Sequence, residues 1–455
     1  MIFEELIRAK YKISEKYYKK IFVNEEPSMF LSYLDIMNVY SLFPTPYQCD
    51  VTNLIEHNIK DIIKLIDNRT DNKTLTDKNN FYLSLLKEKL QIFGLDSTSN
   101  CNTVEAEEKI RYFFSYEVID YVVSKFSPEY VTTAWLKCYE ALELFKLINV
   151  NANTINYFGI CEQPGAFVFA INHYIKTNLK DCEFNFVLQS LRATDKKIFK
   201  AEDALSREYK YSYDYAESNT GDVTDIRNIK YYRKKYYKKH FDIITADCGL
   251  DCSDDFSLQE KKLSRVLFGQ MLIAISLANK GTNYFFKLFS MYENITCEVI
   301  YFMSLLFKEV YITRLLKTKI TSGEIYCICK EFLFDKEEMN VLLDKLYKIY
   351  EQSSDENLCL ISLTNNFIDK ILMCNKNLLY SRLISYNYSY FRYNNLKYVA
   401  THPSVKKYIN KLVKHYAEYF CDYYNIKPLE YKDKLVTKEY KSKWISTDDD
   451  TVSNN

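Results

Sequence analysis

Lys287 is flanked by five apolar residues in the run YFFKLF, residues 284–289. The run has strand length and strong β-formers, so a central strand is expected there. An ammonium drawn toward a sheet interior without a partner costs roughly 2–7 kcal/mol. It must therefore snorkel out at the strand end or be matched by acidic groups. Asp247 closes a second apolar run, FDIITAD, and is followed by Cys248 and Gly249. Glu324 opens a third, EIYCIC, after Thr321-Ser322-Gly323. The stretch CEQPGAF, residues 161–167, ends a fourth. A glycine there lets the backbone approach a ligand, and a helix N-terminus behind it offers free N–H groups. An aspartate and a lysine on adjacent strands would perturb each other's protonation. Such a pair is either catalytic or a structural ion pair, and the residue types alone weigh the two equally.

The elements that must position these groups follow from glycine placement and periodicity. Seven of the eight glycines lie between Gly159 and Gly323, so tight turns concentrate in the middle of the chain. Val131, Trp135, Cys138, Leu142 and Phe145 repeat at helical spacing after Pro128. Strands are expected at 156–160, 183–188, 241–246, 283–289, 310–315 and 324–329, with helices over 167–176, 258–280 and 294–308. A polar insertion spans 192–219, followed by Gly221-Asp222-Val223-Thr224-Asp225. Strands separated by helices predict a doubly wound, mostly parallel α/β sheet that binds ligands at its carboxyl strand ends.

The totals bound the rest. The 455 residues carry 61 basic and 60 acidic side chains, so any nucleic-acid surface must be local. The longest apolar stretch, 266–278, is too short to span a bilayer, and the first twenty residues lack a signal-like apolar core. A soluble intracellular protein with reduced thiols is expected. Cys248 with Cys252, and Cys327 with Cys329, have no second pair to complete a metal site and are expected to be core thiols. Residues 1–115 read as helical, with polar stretches at 67–80 and 96–103 around a short amphipathic helix at 85–95. Residues 335–447 read as a second helical region, with Met339, Leu342, Leu346 and Ile349 on one face, and 448–455 as a disordered tail. Two basic, tyrosine-rich stretches, 230–239 (KYYRKKYYKK) and 427–444, suit either an RNA path or a solvated face.

Taken in order, VTTAWLKCYEAL, GICEQPGAFVFAINHY, FNFVLQSL, NTGDVTD, DIITADCGLD with Gln259-Glu260, KGTNYFFKLF and SGEIYCICK form a specific series. Over residues 125–332 the chain resembles the FtsJ-like family of S-adenosylmethionine-dependent RNA 2′-O-ribose methyltransferases. The likeness is in particular to the FtsJ-domain proteins of large cytoplasmic DNA viruses such as African swine fever virus. The resemblance implies a Rossmann-like domain with a seven-stranded sheet over residues 116–334. It implies a catalytic tetrad of Lys137, Asp247, Lys287 and Glu324. It implies a pocket for S-adenosylmethionine lined by Cys161, Glu162, Pro164, Gly165, Ala166 and Asp247, with Asp222 facing the adenine amino group. Lys287 would be the general base, its pKa lowered by burial and by the Lys137 charge. The implied substrate is RNA, as capped viral mRNA in the host cytoplasm or packaged in a virion, with ribosomal or transfer RNA as the alternative enzyme target. A catalytically idle RNA-binding subunit is the reading outside enzymes. Association with other capping or transcription proteins is a further implication, and neither a metal nor a membrane is implied. Three departures stand out: Ala166 where the family has a second glycine, Cys248 where it commonly has glycine, and a short 317–323 loop without the family's Arg-Pro.

Overall fold

The apolar runs of the middle third become one sheet, and the computed structural model describes residues 47–70, 75, 116–179, 181–192, 213–250, 252, 258–318, 322–354, 357–378, 414 and 417–436. The strands are β1 (Tyr47–Asp50), β2 (Thr154–Ile160), β3 (Glu183–Leu188), β4 (Ile243–Ala246), β5 (Asn283–Leu288), β6 (Phe307–Arg314) and β7 (Ile325–Phe332). Their spatial order is β1-β6-β7-β5-β4-β2-β3. β3, β2, β4 and β5 run parallel, joined by helices as the alternation of patterns requires. The chain moves outward from β2 to β3 and then returns to β4 on the other side. That reversal places a topological switch point between the carboxyl ends of β2 and β4.

The other half of the sheet is antiparallel. β7 follows β6 through a short connection and inserts between β6 and β5, antiparallel to both. The direction of β7 matters for function. A parallel β7 would leave Glu324 at the amino edge of the sheet, whereas the antiparallel one sets Leu288 opposite Ile325 and brings Glu324 to the carboxyl edge. The region expected to be purely helical before residue 115 also supplies β1, which pairs with β6 and covers that edge.

The helices include α1 (Ile59–Asp67), α2 (Tyr116–Phe126), α3 (Thr133–Phe145), α4 (Ala166–Asn178), α5 (Ile226–Tyr236), α6 (Gln259–Leu277), α7 (Asn294–Leu306) and α8 (Met339–Gln352). They build a core on each face of the sheet. One contains α5, α6, α7 and α8 against Phe158, Ile244, Tyr284, Phe286 and Cys327. The other contains α3 and α4 against Tyr157, Ile243, Phe285 and Tyr326. The period-two alternation along β5 divides its side chains between the two. Met339, Leu342, Leu346 and Ile349 are buried as their spacing predicts.

Residues 417–436 close over α3 and α4. Tyr424 donates to Glu140 (3.1 Å), Val436 N–H to Glu129 (2.7 Å) and His173 Nε2 to the Lys427 carbonyl (2.8 Å). α3 is thereby enclosed along most of its length, and every residue of 135–142 is buried. Burial pushes Glu129 up to about 7 and His173 down to about 4. The expected helix at 85–95 and the tail at 448–455 lie outside the described residues, as do 437–444 of the second basic stretch. Among the described residues no helix is long and apolar enough to cross a membrane.

Candidate active site

Phe285 and Lys287 share a face of β5 because they are two residues apart, so Lys287 points toward the layer of α3. It does not snorkel: its side chain is only 11% exposed. Its ammonium is held by Asp247, donating to the carbonyl oxygen at 2.9 Å and lying 3.1 Å from Oδ1. Asp247 follows the last residue of β4, and its own N–H reaches back to the Ile160 carbonyl at the end of β2 (3.3 Å). Gly249 lies close above: a Cβ there would stand 3.5 Å from Lys287 Nζ. The glycine leaves that side of the ammonium open.

Lys137 arrives from α3, which Thr132 starts by accepting the Trp135 N–H (3.2 Å). Its side chain is 10% exposed, and its ammonium pairs with Glu324 Oε1. Burial alone would raise the Glu324 carboxyl. The charges of Lys137 and Lys287 outweigh it and hold Glu324 below the usual carboxylate range. The four expected catalytic side chains therefore meet as two lysine–carboxylate pairs at one end of the sheet. Tyr326 joins them: its hydroxyl donates to Glu324 Oε1 (2.9 Å) and lies 3.4 Å from Asp247 Oδ1. Tyr326 is directly across from Lys287 in the sheet. The residue types did not single it out, although Glu324 and Tyr326, two apart in a strand, had to share a face.

Beside this cluster the CEQPGAF loop links β2 to α4. Gly165 is the N-cap at φ 104°, a left-handed conformation that glycine adopts without strain. The expectation of a free helix N-terminus needs correction. Glu162 turns inward, accepting the Val168 N–H (2.8 Å) and the Tyr157 hydroxyl (2.9 Å). It caps the helix itself, and both oxygens are engaged inside the protein. Burial pushes its carboxyl up to about 8. Because the protonated form is favoured in the fold, its contribution to stability is complete below the ordinary carboxylate range. That contribution is lost as pH rises from there through about 8. Glu162→Gln is expected to flatten this part of the stability–pH curve, which urea unfolding between mildly acidic and mildly alkaline pH would read. An unchanged slope would refute it.

The expectation of reduced thiols is also overturned at two places. Cys161, at φ 57°, is bonded to Cys248, and Cys49 to Cys374. The first bond joins the ends of neighbouring strands β2 and β4, whose pairing brings the two Cα atoms to 5.0 Å. Sequence could not anticipate it, because 87 positions separate the two cysteines. Cys252, Cys327 and Cys329 are free and buried.

Gln189 was missed altogether. Buried just past β3, it accepts the Cys161 N–H (2.9 Å) and donates to the Gly221 carbonyl (2.5 Å), tying the 161–166 loop to the 221–225 loop. Asp222 uses Oδ1 to hold Thr224, accepting its N–H (2.8 Å) and hydroxyl (2.7 Å). This loop lies tight against α6: a Cβ on Gly269 would come within 2.1 Å of the Val223 carbonyl oxygen. Glu260 has a comparable role behind Lys287. It accepts the N–H groups of Tyr292 (3.0 Å) and Glu293 (2.9 Å) and so fixes the loop after β5. Lys317, which opens the short 317–323 loop, is buried against the Phe420 ring (4.9 Å), and burial brings it down to about 7.

With this geometry in view, the comparisons with known proteins are specific. The FtsJ-like methyltransferase family matches residues 130–332. Over those residues the chain is similar to FtsJ-like methyltransferases. A probable methyltransferase of African swine fever virus, EP424R, is 32% identical over 267 residues, 54% of this chain and 59% of its own length. The cap-specific mRNA (nucleoside-2′-O-)-methyltransferase 2 of Drosophila melanogaster is 25% identical over 236 residues, 50% of this chain and 33% of its own. The chain thus spans a third to three fifths of the length of these relatives. A solved ribosomal RNA methyltransferase structure from Plasmodium falciparum covers 43% of this chain and 97% of its own at 16% identity, with a TM-score of 0.29.

Proposed function

We propose that the FtsJ-like domain, taken as residues 116–334, transfers a methyl group from S-adenosylmethionine to a ribose 2′-hydroxyl of RNA, and that its substrate is capped mRNA. The observation that carries this reading is the pairing of Lys287 with Asp247 and of Lys137 with Glu324 beside the β2/β4 switch point. The cap as target rests on the name of the insect relative.

The site's loops fit the cofactor. Gln163 Oε1, in the CEQPGAF loop, is buried without a hydrogen-bond partner among the described residues, an acceptor that a bound donor would complete. Asp222 engages Thr224 through Oδ1, which leaves Oδ2 for an amino group. Cys161, Pro164, Gly165 and Ala166 would line the pocket, while Glu162 shapes it from behind. S-adenosylmethionine supplies a methyl group on a sulfonium centre. The protein's task is to place the 2′-hydroxyl in line with that methyl and to take its proton. Lys287, held by Asp247, takes that proton as the neutral amine, and the transfer leaves it as the ammonium paired with Asp247. Lys137, fixed by Glu324 and Tyr326, holds the hydroxyl's ribose from the other side. Positioning of this kind contributes about 7–11 kcal/mol where it is complete.

The test is methyl transfer from labelled cofactor to capped and uncapped RNA of one sequence. Labelling of the capped RNA alone is expected. Equal labelling of both would remove the cap, and no labelling of any RNA would remove the enzyme. Asp222→Asn keeps an oxygen for Thr224 but places an amide against the adenine amino group. Loss of a hydrogen bond to a charged group is worth about 1.5–3 kcal/mol, so cofactor affinity is expected to fall about 10- to 100-fold. Unchanged affinity by calorimetry would take Asp222 out of the pocket.

A further inference from the structure

The basic stretch 230–239 lies outside the catalytic cluster, and the fold gives it a shape that sequence could not. α5 buries Ile229, Tyr232 and Tyr236 at helical spacing and turns its charges outward. From Ile226 to Lys239 it and the turn after it carry Arg227, Lys230, Arg233, Lys234, Lys235, Lys238 and Lys239 without one acidic residue, in a chain of net charge +1. α8 runs alongside and makes the outward face concave. Lys230 reaches Glu351 (2.6 Å), Arg233 reaches Asn340, and Tyr237 reaches Glu337 (3.2 Å) across the gap. The groove between them encloses about 650 Å³ and is lined by five basic residues, two tyrosines and Asp344. Lys336 fixes its end by donating to the Tyr237 and Lys239 carbonyls (3.0 and 2.5 Å), which cap the chain leaving α5.

We propose that this groove binds the phosphates of a single-stranded tract of the RNA whose ribose is methylated at the catalytic cluster. The inference rests on the RNA methyltransferase reading. Lys234 and Lys238 are exposed and have no acidic partner among the described residues, so their charges are available to an anion. No aliphatic side chain lines the groove, whereas a protein interface has an apolar centre. Tyr237 offers part of its ring among the cations, the combination that single strands use, while the buried Tyr347 forms the floor. Two residues of the groove, Asp344 and Tyr347, lie beyond the family match, which ends at residue 332. α5 starts directly after the Asp222 loop and is about 16 Å long. A nucleotide in the catalytic cluster therefore reaches the groove only through several further nucleotides.

The test uses the full chain and the double variant Lys234→Glu, Lys238→Glu, with a fluorescent capped oligouridylate and a capped dinucleotide as probes. Affinity for the oligonucleotide is expected to fall about tenfold, and its logarithmic salt slope to shrink by about 1.4, the value for two lost phosphate contacts on a single strand. KM for the oligonucleotide should rise in proportion, with turnover of the capped dinucleotide unchanged. The double alanine variant should move in the same direction by less. Unchanged affinity and salt slope would overturn the groove as an RNA site and leave the surface to an acidic protein. If the native chain methylates neither probe, the proposed function fails, while the direct titration still reads the groove.

Discussion

Lys287→Ala is expected to reduce methyl transfer by about 10²- to 10⁴-fold, the contribution of a positioned acid–base group. Cofactor affinity should stay within a few-fold, because in the proposed reaction Lys287 meets the hydroxyl and not the cofactor, and its own contacts are with Asp247. The truncated side chain leaves room beside Gly249, where a Cβ would have met the ammonium at 3.5 Å. A small primary alkylamine added to the assay should therefore restore part of the activity. Such rescue separates a proton acceptor from a structural ion pair, since an amine in solution repairs chemistry and not folding. A variant with more than a tenth of native turnover, or one that loses cofactor binding together with activity, would remove Lys287 from the role of base.

The second large effect is at Glu324. Glu324→Ala leaves Lys137 buried in α3 without its counter-charge, and breaking a buried pair from one side typically costs about 3–5 kcal/mol. The variant should unfold at clearly lower denaturant concentration and lose methyl transfer as well. The pH dependence carries a sign. Glu324 is held below the usual carboxylate range, so its stabilisation is present above that range and is lost as pH falls through its lowered native value. The native and variant stability curves should converge on acidification. A gap that stays constant down to strongly acidic pH would mean that Glu324 stabilises through packing and not through charge. Tyr326 gives an independent check: Tyr326→Phe removes the hydroxyl that joins Glu324 to Asp247 while keeping the ring in the core.

Both effects depend on sheet topology in a way the sequence only half exposes. Asp247 and Lys287 were legible because a charge ending or interrupting an apolar run is conspicuous, and parallel neighbours carry their ends to the same edge. Glu324 was legible as a charge opening a strand, but its place at the site follows from β7 running antiparallel to β5. Hydrophobic alternation does not encode strand direction, so that step belonged to the tertiary structure. Glu162 shows a contact that the motif did not reveal: its side chain accepts an N–H of the helix it caps.

The sequence by itself determined the element types, the parallel half of the sheet and the cluster of loops at its carboxyl edge. Local periodicity and glycine placement carry that information, and the ordered motifs carry the resemblance to FtsJ-like methyltransferases. The tertiary structure decided which lysine pairs with which carboxylate and that Cys161 meets Cys248. It also brought β1 to the sheet edge and made a groove of the basic face of α5 by setting α8 beside it. Each of these is a contact between segments far apart in the chain. Such contacts are fixed by strand order and helix packing, to which a local pattern has no access.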